Sequence, residues 1–170
     1  MLGLLRELQT DNSRRDSDLA KVFGMQSGTL GAMRKSLHTQ GYILADRAIL
    51  DPKKFGLGVV YFVQISHRDA SPANLEATIG KFRTFPGTQA IYHTIGEADL
   101  LVKVRASSPE ILHNLLVDIR SNDNVKRTDS ISVSSTEMET MEIALEDGFA
   151  ALIDIQSNGN GEGEGEGDEL

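Results

Sequence analysis

Two Ser-Pro pairs, Ser71-Pro72 and Ser108-Pro109, constrain this chain more than any other feature. Proline at the first helical position after a serine marks a helix start, because its missing N–H is not needed there. Each pair sits between runs of apolar and β-branched residues that read as strands. The first strand is Val59-Val60-Tyr61-Phe62-Val63-Gln64-Ile65. The helix after Ser71-Pro72 turns Leu75, Ile79 and Phe82 inward and is stopped by Pro86-Gly87. Ala90-Ile91-Tyr92-His93 is a second strand. Ile95-Gly96-Glu97-Ala98 turns the chain into Leu100-Leu101-Val102-Lys103-Val104. The helix after Ser108-Pro109 buries Ile111, Leu112, Leu115, Leu116 and Ile119, and Ser130-Ile131-Ser132-Val133-Ser134 is the last strand. The order is βαββαβ over residues 58–136, a ferredoxin-like sandwich with both helices on one sheet face. The other sheet face needs a cover, and a second copy packed face to face supplies it most cheaply.

Residues 1–50 read differently. Leu2, Leu5 and Leu8 recur at helical spacing with Leu4 alongside, and Asp11-Asn12-Ser13 breaks the pattern. A second helix starts near Asp16 or Ser17 and buries Leu19, Val22 and Phe23, with Gly24 after it. A third follows Ser27 as N-cap, buries Leu30, Met33 and Leu37, and ends at Gly41. The short link Gly24-Met25-Gln26-Ser27 between two short helices is a helix-turn-helix spacing. Opposite Leu30 the third helix carries Gly28, Gly31, Ala32, Lys35 and Thr39, a small face suited to close approach to a duplex groove. Tyr42-Ile43-Leu44 and Ala48-Ile49-Leu50 around Asp46-Arg47 read as a short hairpin, or wing. Residues 51–57, with Pro52 and Gly56, form the linker.

Charge is distributed by region. Residues 1–56 hold nine Lys/Arg against six Asp/Glu, residues 57–136 eight of each, and residues 137–170 no Lys/Arg and eleven Asp/Glu. The overall −8 therefore belongs to the C-terminal end, and the N-terminal unit is mildly basic, as a nucleic-acid-facing module should be. Met138, Met141, Leu145, Phe149 and Leu152 are spaced for an added helix over residues 137–155, and the Gly/Glu-rich residues 156–170 read as disordered. The chain has no Cys, which excludes disulfides, thiolate metal sites and Cys nucleophiles and points to a cytoplasmic protein. No apolar run approaches the roughly 18 residues of a membrane span. His38, His67, His93 and His113 show no metal spacing, and no phosphate loop or nucleophile elbow is present, so neither a catalytic residue, a metal nor a cofactor is expected.

The helix-turn-helix, the Leu50-Asp51-Pro52-Lys53-Lys54-Phe55-Gly56-Leu57 stretch and the Ile95-Gly96-Glu97-Ala98-Asp99 turn together resemble the leucine-responsive regulatory protein/AsnC, or feast/famine, family over about residues 2–136. The resemblance implies an α+β chain with an N-terminal winged helix-turn-helix and a ferredoxin-like βαββαβ (RAM) domain, here with an acidic C-terminal extension. It implies a sequence-specific DNA-binding transcription regulator, homodimers assembling into octamers or similar rings, and an amino acid or related metabolite bound near the Gly-x-x-Asp turn. Carried over by position, Gly96 gives close backbone approach and Asp99 a carboxylate for the ligand's ammonium. His93 and Glu97 flank the turn, and Ser132 and Ser134, with Ser130, share one strand face and offer hydroxyls.

On the DNA side the candidate contacts are Arg14, Arg15, Ser27, Gly28, Thr29, Arg34, Lys35 and Arg47. Arg34 lies toward the buried side of the helical wheel, and Arg14, Arg15, Lys35 and Arg47 suit phosphates. The third helix has fewer Arg and Ser than the family's usual recognition helix. Ala98 stands where an aromatic is frequent, and Ile95 where Thr or Ser is frequent. The small outer face of the third helix and the acidic tail raise a competing reading, a metabolite-sensing oligomeric interaction module with weak or lost DNA binding.

Overall fold

The computed structural model describes residues 1–145. Expectations placed on residues 146–170, including the rest of the added helix and the Gly/Glu tail, lie outside the described residues. The described chain divides into two compact units, one of residues 1–48 with 140–145, the other Ile49–Glu139.

The first unit is three helices, α1 (Leu2–Thr10), α2 (Asp16–Val22) and α3 (Ser27–Thr39). Its core is Leu4, Leu5, Leu8, Leu19, Ala20, Leu30 and Leu37, with Phe23, Met25 and Met33 packed against it. The i, i+3/i+4 spacing of these residues puts them on inward faces, and each buried Leu contributes about 1.5–3 kcal/mol of apolar burial. Between α1 and α2, Asp11 accepts hydrogen bonds from the Ser13 hydroxyl (2.6 Å) and backbone N–H (2.9 Å). The Ser13 hydroxyl, then its backbone N–H, hold the Asp11 carboxyl below the usual carboxylate range.

Four local expectations for this unit and the segments that border it are corrected. Arg15 and Gln26, not Asp16, Ser17 or Ser27, occupy the N-cap positions of α2 and α3. Asp16 is instead the first helical residue, where its charge complements the helix dipole. Val22 is 57% exposed, and Phe23, just past the helix end, packs on the core instead. The wing is not a hairpin: residues 43–51 form no strand, and Leu44, Ile49 and Leu50 stand exposed. An isolated two-stranded ribbon is marginal in water. Here Asp46, at the expected turn, is held by the Asn12 amide and by His38 Nε2 at 3.3 Å. Finally, residues 137–145 are not helical. Met138 and Met141 are 80% and 97% exposed, and among the stripe's described residues only Leu145 packs, against the three-helix core. The chain is fastened instead by Gln9, whose amide donates to the Ile143 carbonyl (3.0 Å) and accepts from its N–H (2.8 Å).

The second unit opens with Asp51 capping a single 3-10 turn, Pro52–Phe55: its carboxylate accepts from Lys53 N–H at 3.0 Å, and Gly56 closes the turn. There follow β1 (Val59–His67), α4 (Pro72–Thr84), β2 (Thr88–His93), β3 (Leu100–Ala106), α5 (Pro109–Arg120) and β4 (Val125–Ser132). The sheet order is β2-β3-β1-β4, antiparallel throughout. This is the expected βαββαβ architecture.

Tyr61, Val63 and Ile65 of β1 and Leu100, Val102 and Val104 of β3 alternate onto the helix-covered face. There they join Ile79 and Phe82 of α4 and Leu112, Leu116 and Ile119 of α5. Ile111, expected inside, is 42% exposed. Strand β4 begins at Val125, earlier than its apolar residues suggest, because Asn122 turns the chain. The Val125 N–H donates to the Asn122 carbonyl (2.9 Å), and the Asn124 N–H to the Asn122 side chain (3.0 Å). At the β2 entrance Gly87 lies against the β3 backbone: a Cβ there would sit 1.8 Å from the Arg105 carbonyl oxygen. Among the described residues no helix is long and apolar enough to cross a membrane.

Candidate effector cavity and nucleic-acid interface

The open sheet face carries the other half of each strand's alternation. The register pairs Phe62 with Ile131, Gln64 with Asp129 and Ser66 with Arg127. At one end the turn between β2 and β3 folds beside these residues, and between turn and strands lies a cavity of about 390 Å³. Its wall includes Gly96 and Glu97 from the turn, Gln64 and Ser66 from β1, and Arg127 and Asp129 from β4.

The turn is firmly built. The Thr94 N–H donates to the Asp99 carbonyl (3.0 Å), and the Thr94 hydroxyl to the Ala98 carbonyl (2.6 Å). The Ser66 hydroxyl fastens it to β1 by donating to the Glu97 carbonyl at 2.7 Å. Gly96 has φ +146° with open space where a Cβ would stand, a conformation that glycine adopts without strain. Arg127 Nε and Asp129 Oδ2 form an ion pair at 2.6 Å. No ion pair holds the Glu97 carboxylate among the described residues.

The expected ligand residues divide. Gly96 and Glu97 line the cavity, whereas His93, Asp99, Ser132 and Ser134 do not. Asp99 faces the sheet interior. Its Oδ2 accepts from the His67 backbone N–H at 2.6 Å and lies 3.1 Å from His67 Nδ1, so it anchors the turn from behind. His93 lines a different depression, with Ile79 and Arg83. Ser132 is paired with Tyr61 and Ser130 with Val63, so these serines belong to the helix-covered side. Ser134 lies beyond the end of β4.

Sequence reasoning missed Gln64, Ser66, Arg127 and Asp129. Starting β4 at Ser130 hid the last two. Their signal was the alternation Arg127, Asp129, Ile131, which becomes a face only once the strand is known to begin at Val125.

In the first unit, Ser27, Gly28, Thr29 and Lys35 of α3 are exposed, as are Arg15 and Arg47. Gln26, exposed just before α3, joins them and was not singled out. Gly31, expected on that face, instead points at α2: its Cβ would sit 3.1 Å from an Asp16 oxygen. Arg34 is turned inward. Its Nε pairs with Asp16 Oδ1 at 3.0 Å, and its guanidinium donates to the backbone carbonyls of Arg14 (2.9 Å) and Asn12 (3.4 Å). Arg14 is ion-paired with Glu7 and half-buried. Both arginines therefore stitch the three helices together, and Arg34 presents no free guanidinium to a groove.

Comparison with known proteins agrees with both units. The Lrp/AsnC ligand binding domain family matches residues 60–143. The HTH-type transcriptional regulator FL11 of Pyrococcus horikoshii is 26% identical over 143 residues, covering 84% of this chain and 93% of that protein. The transcriptional regulator AzlB of Bacillus subtilis is 27% identical over 146 residues, covering 85% and 93%. Among solved structures, the feast or famine regulatory protein from M. tuberculosis complexed with L-methionine superposes with a TM-score of 0.73 at 26% identity, covering 82% of this chain and 93% of that one. The relatives are regulators rather than enzymes, and the chain belongs to the Lrp/AsnC family of transcriptional regulators.

Proposed function

We propose that this regulator binds DNA through the exposed face of α3 and that an amino acid in the cavity beside the Gly96 turn changes its assembly or DNA affinity. The observation that carries the DNA half is the division of α3. Leu30 and Leu37 are wholly inside the three-helix core, while Ser27, Gly28, Thr29 and Lys35 face solvent together. Small residues at the N-terminal end let the backbone approach base edges, and Ser27 and Thr29 supply hydroxyls. Lys35, Arg15 and Arg47 suit phosphates, fixing register without reading sequence. Gln26 is a further groove contact.

For the effector, the cavity combines a guanidinium, carboxylates and a turn with open backbone, the groups that a zwitterion needs. The M. tuberculosis relative was crystallised with L-methionine, which supports an amino acid as the class. The open sheet face, with Phe62, Tyr92, Leu101 and Ile131 on it, packs against a second copy, and dimers build larger rings. The protein acts in the cytoplasm, with access to DNA.

The test is fluorescence-anisotropy binding to the DNA upstream of its own gene across a salt series. Sub-micromolar affinity that exceeds a scrambled duplex and falls steeply with salt is expected, since each phosphate contact releases counterions. Weak, sequence-indifferent binding would leave the interaction module as the better account.

A further inference from the structure

The cavity's charge pattern says more about its ligand than that it is an amino acid. Resting on the effector reading above, we infer that the ligand is an α-amino acid with a cationic side chain, and that Glu97 is the residue that selects it. Among the described residues three charged side chains line the cavity: Glu97, Arg127 and Asp129, two negative and one positive. An amino acid with a neutral side chain brings one charge of each sign and leaves a carboxylate of the site unmatched. One with an acidic side chain adds like-charge repulsion. One with a basic side chain brings two positive charges and one negative, the complement of the wall.

The individual groups can be matched. Arg127 spends its Nε on Asp129 and keeps the rest of its fork of N–H donors for the ligand's α-carboxylate, together with the open backbone at Gly96. Asp129, drawn to the same corner by its 2.6 Å contact with Arg127, takes the α-ammonium. Glu97 then remains. Its backbone carbonyl is fixed by Ser66 at 2.7 Å, which holds the residue in the cavity wall, and its carboxylate has no ion-pair partner among the described residues. A side-chain cation extending toward the turn supplies one. The Gln64 amide, paired with Asp129 on the neighbouring strand, also lines the cavity and carries no charge that would repel the cation.

The pairs are half-exposed, so the selectivity is modest, on the order of tenfold rather than a thousandfold. The experiment is isothermal titration calorimetry of the full-length protein with L-lysine, L-norleucine and L-glutamate. Norleucine has lysine's carbon chain without the terminal ammonium. The expected result is lysine tighter than norleucine by about tenfold, with glutamate weakest, and a lysine-to-norleucine affinity ratio that collapses toward one in Glu97→Gln. Glu97 is exposed on a turn, so that variant keeps its fold. If norleucine binds as well as lysine, or if lysine keeps its advantage in Glu97→Gln, the inference is overturned while the effector reading stands. If neither these three nor L-methionine binds, the effector reading itself falls and takes this inference with it.

Discussion

The ring of His67, fully buried, ties two parts of the effector domain together through Asp99. Its Nδ1 lies 3.1 Å from Asp99 Oδ2, and its Nε2 lies 2.9 Å from the Thr78 hydroxyl of α4. In the neutral ring Nδ1–H donates to the carboxylate and Nε2 accepts from the threonine. The same carboxylate oxygen accepts from the His67 backbone N–H, so one oxygen fixes both the strand end and the ring. Asp99→Ala leaves a buried N–H and a buried ring nitrogen without their acceptor. It should cost about 1–3 kcal/mol in chemical unfolding, and Asp99→Asn less, because the amide oxygen still accepts. Equal stability of wild type and Asp99→Ala would mean that the contact holds nothing.

Adjacent cations on α3 sit in opposite environments. Lys35 is exposed and faces outward; Arg34 is paired with Asp16 and capped on two carbonyls. Lys35→Ala should weaken binding to all duplexes alike and reduce the slope of log affinity against log salt by about 0.9, the loss of one phosphate contact, without changing the melting temperature. Arg34→Ala should lower the melting temperature of the N-terminal unit, by about 1–2 kcal/mol in stability, because it strips partners from Asp16 and two backbone carbonyls. Measuring both variants by anisotropy and thermal unfolding separates the roles. The assignment is wrong if the effects are exchanged.

Gly87 is needed for space. A methyl group would overlap the Arg105 carbonyl, whose own N–H donates to the Gly87 carbonyl at 2.8 Å. Relief requires parting β2 from β3 where the register already shifts between Thr88 and Ala90. Gly87→Ala should destabilise by about 1–3 kcal/mol, which is read as a drop of several degrees in calorimetric melting. An unchanged melting temperature would show that the β2 entrance is looser than described.

Glu139 crosses back over the open sheet face to pair with Lys103 and with Arg105, the latter at 3.0 Å. The hydrogen bond from Lys103, aided by the two positive charges and opposed by desolvation, holds its carboxyl below its ordinary value of 4.5. A carboxyl more acidic in the folded than in the unfolded chain stabilises at pH above its ordinary value. That contribution is lost as pH falls through the folded value. Because the carboxylate is largely exposed, the effect is small, about 0.5–1 kcal/mol. Wild type should exceed Glu139→Gln in stability at pH 7, and the gap should close below pH 4.5. A gap that widens in acid would reverse the sign and refute the pairing.

The βαββαβ order was legible because Ser-Pro starts and apolar strands are local signals, each carried by adjacent residues. The three helices were legible from leucine spacing for the same reason. The wing misled, because alternating apolar residues such as Leu44 and Ile49 mark a strand only if something covers them, and among the described residues nothing covers these two. The turn side of the cavity was legible: Gly96 and Glu97 belong to a turn motif written in consecutive residues. Arg127 and Asp129 enter through a strand register, and strand pairing is a long-range property that no local pattern fixes. Asp99 shows the remaining ambiguity. A turn carboxylate can face a ligand or the protein, and only the position of His67, 32 residues earlier, decides which.

The proposed function requires one molecule to couple amino-acid binding to DNA binding. The most direct measurement is the anisotropy-detected affinity for the upstream DNA with and without saturating amino acids, tested one at a time. At least one of them, a basic one first, is expected to shift the dissociation constant by fivefold or more, the lower end of ordinary allosteric coupling. By linkage the same factor must appear when that amino acid's own affinity is measured with and without DNA. A DNA affinity that no amino acid moves would contradict it.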